Sequence, residues 1–341
     1  METITFGTSG LTSSRIGLGT WAIGGWMWGG TDETEAIATI RYALGQEITL
    51  IDTAPVYGFG TAEEIVGKAL KPAGLRRQAI IATKAGLSWT TGRPQRDSRP
   101  SRLRQELEDS LRRLRTDYID LYQIHWPDPL VPIEEVALEL QRMYQEGKIL
   151  AIGVSNFSPA QMDTFRAIAP LHTVQPPYNL FERAIDADVL PYATRTGLSA
   201  IAYGALCRGL LSGRITTKTV FTGDDLRRAD PKFADPELRR GYLRAVEQLD
   251  GLARERFGRN VLSLAVRWVL DRGPTVALWG ARRPEQLEAV DGAMGWTLDS
   301  DTMGIIDRIL ERNIPAPVGP EFMAPPARST AAAEILRPGA A

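Results

Sequence analysis

Asp52, Tyr57, Lys84 and His125 are the residues of this sequence whose types and spacing best suit proton transfer to a carbonyl oxygen. A phenol, with an ordinary pKa of about 10, is a weak acid at neutral pH, but a neighbouring ammonium lowers that pKa. We predict that Lys84 supplies the ammonium, that Asp52 keeps it charged when buried, and that His125 hydrogen-bonds the substrate oxygen. Taken singly, each residue is also typical of a structural role: a rim aromatic, a cap, an exposed strand end or a packed histidine.

Reduction of a carbonyl requires a hydride donor as well as a proton donor. Positioned proton transfer contributes about 10² to 10⁴ in rate, so the larger part of catalysis must come from orienting a hydride donor. A bound cofactor is therefore predicted. The glycine fingerprint of open dinucleotide-binding sheets is incomplete, because neither Gly17 with Gly19 nor Gly58 with Gly60 is followed by the third glycine. Any dinucleotide is expected to bind by another route.

Eight short apolar runs with strand character alternate with segments of helical periodicity. The runs cover residues 16–19, 49–52, 79–84, 119–125, 150–154, 173–175, 199–203 and 275–280. Unbroken alternation predicts an α/β fold whose parallel strands close into a (β/α)8 TIM barrel rather than an open sheet. Asp52, Lys84 and His125 then end neighbouring strands, so their side chains are expected to meet at the rim that carries the working residues of such barrels.

The sequence also predicts an addition before the barrel. Two extended pieces at residues 3–6 and 11–13, joined by a turn at 7–10, indicate a β-hairpin that acts as a lid or plug. Asp32 with Glu35 predicts the start of the first helix.

The whole chain, residues 1–341, is expected to form one domain, with a barrel core at about 14–313 and an extra C-terminal helix. The tail, 315–341, is predicted to be partly flexible and to be disordered beyond about Ser329. Residues 216–239 are too many for a simple barrel connection. They form either a functional loop, one that closes over a cofactor, or an ordinary insertion.

Composition argues against several classes of protein. The 341 residues carry 40 basic and 41 acidic side chains, so no overall field attracts nucleic acid or an anionic membrane. Cys207 is the only cysteine and His125 and His172 are the only histidines, which makes an internal disulfide impossible and a Cys/His zinc site close to excluded. No apolar run reaches the roughly 18 residues of a membrane-spanning helix. We expect a cytoplasmic protein without a metal, a monomer being favoured although the oligomeric state is not specified.

Five motifs give the chain a family resemblance. They are IDTAPVYG at 51–58, EEIVG at 63–67, ATK at 82–84, TDYIDLYQIHW at 116–126 and GVSNF at 153–157. Over about residues 6–294 the chain resembles the aldo-keto reductase family, and within it the bacterial branch related to general stress proteins and glycerol dehydrogenases. The resemblance implies reversible hydride transfer between NADPH and aldehyde or ketone carbonyls. It further implies that Tyr57 is the general acid in reduction and the general base in oxidation, tuned by Lys84 and Asp52. His125 would orient the carbonyl.

The same resemblance implies an extended NADPH or NADP⁺ across the barrel mouth, NADH being the less expected cofactor. Ser155, Asn156 and Gln175 would hold the carboxamide, and Tyr203 would stack on the nicotinamide. The loop after the seventh strand would meet the diphosphate and the loop after the eighth the adenosine, where anion sites are usual in this fold. The implied contacts are Gly19, Thr20, Trp21, Ser155, Asn156, Gln175, Tyr203, Gly204, Leu206, Arg208, Gly209, Leu210, Gly280, Arg282, Arg283 and Gln286.

Two departures from the family pattern concern the cofactor. Gly204 and Ala205 stand where the family often has Ser-Pro, and Val290 stands where it often has an asparagine that hydrogen-bonds adenine. These differences reduce the expected strength of cofactor binding and the expected preference for NADPH. They leave the expected reaction class unchanged.

Trp21, Trp28 and Trp126 are the expected substrate contacts. Trp21 and Trp28, with Trp26 between them, belong to a glycine-rich loop after the first strand that is expected at the barrel mouth, and aromatic walls suit an apolar or sugar-like substrate. The alternative is that this loop packs its tryptophans onto the barrel. Cys207, in the expected diphosphate loop, is interpreted as an inert small residue rather than a redox sensor.

Two other functions stay open from the sequence alone. Relatives of this fold serve as nucleotide-sensing partners of ion channels, and such a subunit would bind the cofactor without turning over any aldehyde. A metal-dependent barrel enzyme is disfavoured, because two histidines and no clustered carboxylates at strand ends supply too few ligands.

Overall fold

The computed structural model describes residues 1–89 and 93–328. In chain order its strands are β1 (Thr3–Thr5), β2 (Thr12–Ser14), β3 (Ile16–Gly19), β4 (Leu50–Asp52), β5 (Ile80–Ala85), β6 (Leu87–Ser88), β7 (Gln95–Arg96), β8 (Leu121–Ile124), β9 (Ile152–Ser155), β10 (Thr173–Gln175), β11 (Ser199–Ala202) and β12 (Thr275–Gly280). Strands β3, β4, β5 and β8 to β12 close into one parallel barrel. The predicted TIM barrel is confirmed, and each barrel strand lies within two residues of its predicted bounds.

Helices cover the outside of the barrel. They are α1 (Glu33–Gly45), α2 (Thr61–Ala69), α3 (Leu75–Gln78), α4 (Pro100–Leu114), α5 (Ile133–Gln145), α6 (Pro159–Arg166), α7 (Val189–Thr196), α8 (Pro231–Ala234), α9 (Pro236–Phe257), α10 (Val261–Leu270) and α11 (Ser300–Asn313). Helix α1 begins where predicted, because the carboxylate of Asp32 accepts a hydrogen bond from the Glu35 amide at 3.0 Å. Helix α11, after the last strand, is the expected C-terminal helix and packs against α9.

The predicted N-terminal hairpin plugs the end of the barrel at which the strands begin. Strands β1 and β2 pair antiparallel, with Thr3 opposite Ser14. Phe6 follows β1 and is fully buried in an apolar cluster that includes Leu50, Leu121 and Val276. Since the strands end at the opposite rim, the plug leaves that rim free for polar side chains.

Two features of that rim were not predicted. Strands β6 and β7 form a small antiparallel hairpin after β5, and residues 216–239 contain a 3-10 turn at Leu226–Arg228 and helix α8. The predicted disorder beyond about Ser329 lies outside the described residues. Within the described residues, no helix has the length and apolar character needed to cross a membrane.

Candidate active site

The four predicted catalytic side chains meet at the carboxyl ends of neighbouring strands. Asp52 ends β4, Lys84 lies near the end of β5 and His125 follows β8. The ammonium of Lys84 lies 2.7 Å from Asp52 Oδ1 and donates to the Thr53 carbonyl at 3.0 Å. It also contacts the Tyr57 hydroxyl at 3.4 Å, and the Tyr57 and His125 rings meet edge to face with centroids 5.9 Å apart.

Burial controls the protonation of this group. It raises the pKa of Tyr57 well above the usual 10, with a further contribution from the charge of Asp52. The expectation that Lys84 lowers this pKa is wrong, because the buried Lys84 ammonium is paired with Asp52 and the phenol faces a compensated charge. Burial also lowers the pKa of Lys84, against the opposing effect of Asp52. Burial and the nearby Lys84 lower the pKa of His125 well below 6.5, so the imidazole is neutral.

Close packing of two loops fixes the position of Tyr57. A Cβ atom on Gly24, after β3, would lie 2.6 Å from the Tyr57 carbonyl carbon. One on Gly58 would lie 2.1 Å from the Gly24 oxygen, and Gly58 has φ +65°, a conformation that suits glycine. Trp21 stacks on the Tyr57 ring at 5.9 Å. Any larger side chain at either glycine would displace the phenol.

A hydrogen-bonded group of polar side chains lies beside these four residues. Gln175 donates to Asp52 Oδ2 at 2.8 Å, while the Ser155 hydroxyl donates to the Gln175 carbonyl at 2.7 Å. Tyr203 donates to Asn156 Oδ1 at 3.0 Å, and the Asn156 amide donates to the Ser155 hydroxyl at 3.0 Å. The link from Gln175 to Asp52 was not predicted, and no local sequence signal reveals it because the two residues are 123 positions apart.

A trench made of two connected cavities crosses the mouth. The inner cavity, of about 220 Å³, includes Asp52, Tyr57 and Tyr203 in its lining. The outer one, of about 550 Å³, includes Phe221 and Leu262. Residues lining both are Trp28, Leu206, Gly209, Arg227, Gly280, Arg282 and Gln286. The trench therefore runs from the Tyr57 phenol to the loop after β12.

Residues 216–239, here called the strap, form one wall of this trench. The Asp224 carboxylate accepts hydrogen bonds from the Met27 and Gly29 amides at 2.8 and 3.2 Å. Arg227 contacts the Phe221 ring at 4.2 Å and the Trp28 ring at 5.2 Å. The strap is thus fastened to the loop after β3, which accounts for the unusual length of this segment.

The outer end of the trench is cationic. Arg282 donates to the Trp28 carbonyl at 2.8 Å, and burial together with neighbouring Arg227 and Arg283 lowers its pKa. Arg283 is more exposed and pairs with Glu35 at 3.1 Å. The sequence did not single out Arg227, although it flagged the segment that carries it. Three guanidinium groups close together favour an anionic ligand.

Several expected cofactor contacts line the trench and others do not. Gly19, Trp21, Gly204 and Arg208 belong to the inner cavity together with the shared residues. Thr20, Ser155, Asn156, Gln175, Leu210 and Arg283 lie outside the described linings of both cavities. Leu210 is fully buried in the core. The Arg208 guanidinium is buried in ion pairs with Glu182 and Asp230, so this residue offers the trench its backbone rather than its charge.

Cys207 and Val290 are buried in the core. Burial raises the pKa of the Cys207 thiol to about 12, which keeps it protonated and unreactive. Its interpretation as an inert residue agrees with this environment.

Aromatic side chains surround the open side of Tyr57. Trp21 and Trp28 pack edge to face at 5.6 Å, and Phe59 contacts Trp26 at 4.8 Å and Trp89 at 5.7 Å. Trp126 is covered by Arg96 at 5.2 Å, while Met323 from the C-terminal end lines the inner cavity. Of these, Phe59, Trp89 and Met323 were not predicted to lie at the mouth. Trp89 and Met323 reach the mouth from the β6–β7 hairpin and from the segment after α11, neither of which carries a local sequence signal.

The trench has the properties that a nicotinamide dinucleotide requires. An aromatic phenol end and a cationic end match the two ends of such a molecule. Trp28 lines both cavities, and its buried indole nitrogen has no hydrogen-bond partner among the described residues. Among those residues, no cluster of three or more metal-ligating side chains is present.

Comparison with known proteins identifies the chain. The model of the "Aldo/keto reductase family" matches residues 15–311, nearly all of the barrel. The chain belongs to the aldo/keto reductase family. As an aldo-keto reductase it is an oxidoreductase that exchanges hydride between a nicotinamide cofactor and the carbonyl group of an aldehyde or ketone.

Two bacterial proteins are similar in sequence to this aldo-keto reductase over nearly its whole length. It is 60% identical over 329 residues to the aldo-keto reductase YhdN of Bacillus subtilis strain 168, covering 96% of this chain and 99% of the relative. It is 35% identical to the NADH-specific methylglyoxal reductase of Escherichia coli strain K12, covering 92% of this chain and 100% of that protein.

Solved structures of similar proteins support the fold. The glycerol dehydrogenase AKR11B4 of Gluconobacter oxydans superposes with a TM-score of 0.85 at 54% identity, covering 94% of this chain and 99% of that one. An aldo/keto reductase of Klebsiella pneumoniae, solved with NADP and acetate, gives 0.70 at 27% identity, covering 90% and 94%.

Proposed function

We propose that this aldo-keto reductase reduces aldehydes or ketones with NADPH in preference to NADH, using Tyr57 as the general acid. The observation that carries the proposal is the trench, which joins the Tyr57, Lys84 and His125 group to a cationic end. The bound nicotinamide supplies the hydride in reduction and accepts it in oxidation.

The residues of the chain manage the proton. Tyr57 holds its proton firmly and donates it to the substrate oxygen as hydride arrives. Lys84, at 3.4 Å, is the cation nearest to the resulting phenolate, and Asp52 keeps it charged. Neutral His125 donates a hydrogen bond to the same substrate oxygen and holds it in line. In oxidation the steps run in reverse, with the Tyr57 phenolate as the base.

The cationic end supports the preference for NADPH. Arg282 is crowded by Arg227 and Arg283, so a phosphate on the adenosine ribose relieves repulsion that NADH would leave in place. The relatives differ on this point: the Klebsiella structure contains NADP, while the Escherichia coli relative is described as NADH-specific. Exchanging Arg282 for Ala is expected to weaken NADPH binding about tenfold or more and NADH binding much less. Equal effects on both would contradict the assignment.

The deciding experiment follows NADPH oxidation at 340 nm with glyceraldehyde and a panel of other aldehydes. Tyr57→Phe is expected to lose about 10² to 10⁴ in rate while binding NADPH with unchanged affinity. Tyr144→Phe on α5, which changes a partly buried tyrosine far from the trench, is the matched control and is expected to retain activity. Wild-type protein that binds NADPH but turns over no carbonyl would favour a nucleotide-sensing role instead.

We further propose a cytoplasmic, monomeric protein. The buried, unreactive Cys207 suits a reducing compartment. The exposed large apolar side chains of the described residues are few and lie on separate loops and helices. Size-exclusion chromatography with light scattering tests the monomer, and a dimer mass would contradict it.

A further inference from the structure

Four buried charged side chains form a cluster beneath the trench, apart from the catalytic residues. They are Glu182, Arg208, Asp230 and Lys232, and none is more than 7% exposed. Arg208 Nε donates to Asp230 Oδ2 at 2.7 Å, and the same guanidinium donates to Glu182 Oε1. Lys232 Nζ lies 2.9 Å from Glu182 Oε1. Two positive and two negative charges balance, which is the condition for burying them together.

This four-charge cluster joins separate segments of the chain. Glu182 follows β10, Arg208 lies in the loop after β11, and Asp230 and Lys232 belong to the strap. Lys232 also donates to the Gly319 carbonyl, in the segment after α11, at 3.3 Å. The cluster therefore ties the segment after β10, the loop after β11, the strap and the segment after α11 to the same few side chains.

A second set of contacts connects the cluster to the backbone beside Tyr203. The Asn179 side chain donates to Glu182 Oε2 at 2.8 Å and to the Gly204 carbonyl at 3.0 Å. The Tyr178 amide donates to the Tyr203 carbonyl at 3.1 Å. Glu182 is thus linked through Asn179 to Gly204, at the start of the loop after Tyr203. It also pairs directly with Arg208, in the middle of that loop.

The loop that the cluster holds has an unfavourable backbone. Cys207 and Arg208 are consecutive residues with side chains, and their φ values are +46° and +55°. This left-handed region is costly for such residues and persists only where surrounding contacts fix it. Arg208 and Gly209 line the inner cavity, while the Arg208 guanidinium points into the buried cluster. The ion pairs therefore fix a strained backbone at the place proposed for the cofactor diphosphate.

We propose that the four-charge cluster sets cofactor affinity by holding residues 204–209 in their binding conformation, with Glu182 and Asp230 as positioning residues that do not touch the cofactor. The inference rests on the proposed seat of the dinucleotide in the trench. When the loop is released, only a fraction of molecules is competent to bind, and the apparent Kd rises in inverse proportion to that fraction. The hydride step, once cofactor is bound, is unaffected.

The test uses Glu182→Gln and Asp230→Asn, which keep side-chain shape and remove one charge. NADPH titration by fluorescence is expected to show Kd raised about tenfold or more, as when a competent fraction near one falls to about a tenth. The single-turnover hydride transfer rate at saturating NADPH, and its deuterium isotope effect, are expected to stay within about twofold of wild type.

Asp120→Asn is the matched control. Asp120 is equally buried and pairs with Arg76 at 2.8 Å, but it lies at the start of β8, at the far end of the barrel. It is expected to lower Tm without changing Kd. If Glu182→Gln and Asp230→Asn also lower Tm and leave Kd unchanged, the cluster is merely structural and the inference is overturned. A slower hydride step with unchanged Kd would also overturn it.

If the single variants do not fold, the double variant Glu182→Gln with Lys232→Met removes one charge of each sign and takes their place in the same measurements. Its Kd is likewise expected to rise. If the wild type does not bind NADPH, the proposed function and this inference are overturned together. If the wild type binds and the variants have the same Kd as wild type, the inference alone is overturned.

Discussion

At the scale of single residues, Tyr57 is set for donation rather than removal of a proton. Its pKa lies well above the usual 10 because the phenol is buried and faces Asp52. A phenol with so high a pKa is protonated throughout the neutral range, which is the form that reduction requires, while the phenolate that oxidation requires is scarce. The neutral His125 beside it can donate without competing for that proton.

The two directions of the reaction should therefore respond differently to pH. We expect kcat for aldehyde reduction to be flat from about pH 6 to about pH 9, because Tyr57 stays protonated below its raised pKa. We expect kcat for alcohol oxidation to rise throughout that range as the phenolate fraction grows. Steady-state rates in both directions check this, with the hydride isotope effect reporting whether chemistry limits each rate. A reduction rate that falls between pH 7 and 9 would contradict the raised pKa.

At the scale of elements, the segment 323–328 and the β6–β7 hairpin contact each other on the substrate side of the mouth, and these contacts are here called the clasp. Arg328 lies 2.9 Å from Asp97 and 3.1 Å from Asp128. The Arg96 amide donates to the Pro326 carbonyl at 3.0 Å. These contacts carry Met323 to the inner cavity, so the clasp shapes the end of the trench that contains Tyr57 rather than its cationic end.

Arg328→Ala is expected to raise KM for the carbonyl substrate about two- to tenfold through loss of charged hydrogen bonds. The NADPH Kd is expected to change less than KM, because none of these contacts reaches the cationic outer cavity. Steady-state kinetics with cofactor titration separates the two quantities. Arg112→Ala, which removes an exposed pair with Asp109 on α4, is the control. A change in Kd equal to that in KM would refute the separation.

Helix α4 anchors the base of the same hairpin with a buried carboxyl group. Glu106 accepts a hydrogen bond from the Gly86 amide at 2.8 Å, at the end of β5. Burial raises its pKa to about 8, although Arg102 and the Gly86 amide oppose the rise. The folded protein therefore binds a proton here that the unfolded chain, with a usual pKa of 4.5, releases.

This group should make stability depend on pH. Because the folded pKa is raised, its favourable contribution is full below pH 4.5 and is lost as pH rises through about 8. We expect Tm of wild type to fall between those values relative to Glu106→Gln, which cannot ionise. Thermal unfolding at a series of pH values measures the difference. Glu108→Gln, at an exposed position on the same helix, should behave as wild type; parallel curves for wild type and Glu106→Gln would show that Glu106 does not titrate there.

At the scale of the whole molecule, the N-terminal hairpin with Phe6 lies at one end of the barrel and the Tyr57 group lies at the other. Phe6→Ala should lower the free energy of unfolding by about 3–5 kcal/mol, since it removes a fully buried ring. It should leave kcat unchanged, because the plug and the catalytic residues lie at opposite rims. Denaturant unfolding and steady-state rates test both parts, with Leu138→Ala at an exposed position as the control. A large loss of kcat in folded Phe6→Ala would show that the ends are coupled.

The barrel could be predicted because its strands and helices are indicated by local sequence patterns. Each barrel strand is a short apolar run bounded by polar residues, and eight such runs alternating with helices leave few other folds. The meeting of Asp52, Lys84 and His125 followed from the same reasoning, since each falls at a strand end. The expectation that Lys84 lowers the Tyr57 pKa was wrong, because the sequence does not show the burial of the phenol or the close pairing of Lys84 with Asp52.

The less predictable parts of the site depend on contacts between distant segments. Gln175 reaches Asp52 across the barrel, and Met323 enters the inner cavity from the chain end. Arg208 looked like a phosphate ligand from its place in the loop, but its guanidinium is used in buried ion pairs. Charge and position along the chain do not reveal which way a long side chain turns.

The buried state of Cys207 has a practical consequence for spectroscopy. It is the only cysteine in the chain, and a protonated thiol inside the core does not react with maleimides at neutral pH. A cysteine introduced at Val220, which is 79% exposed on the strap, would then be the single site for a fluorescent label, with no native residue to remove first. Such a label would report cofactor entry directly, in real time, from the wall of the trench itself.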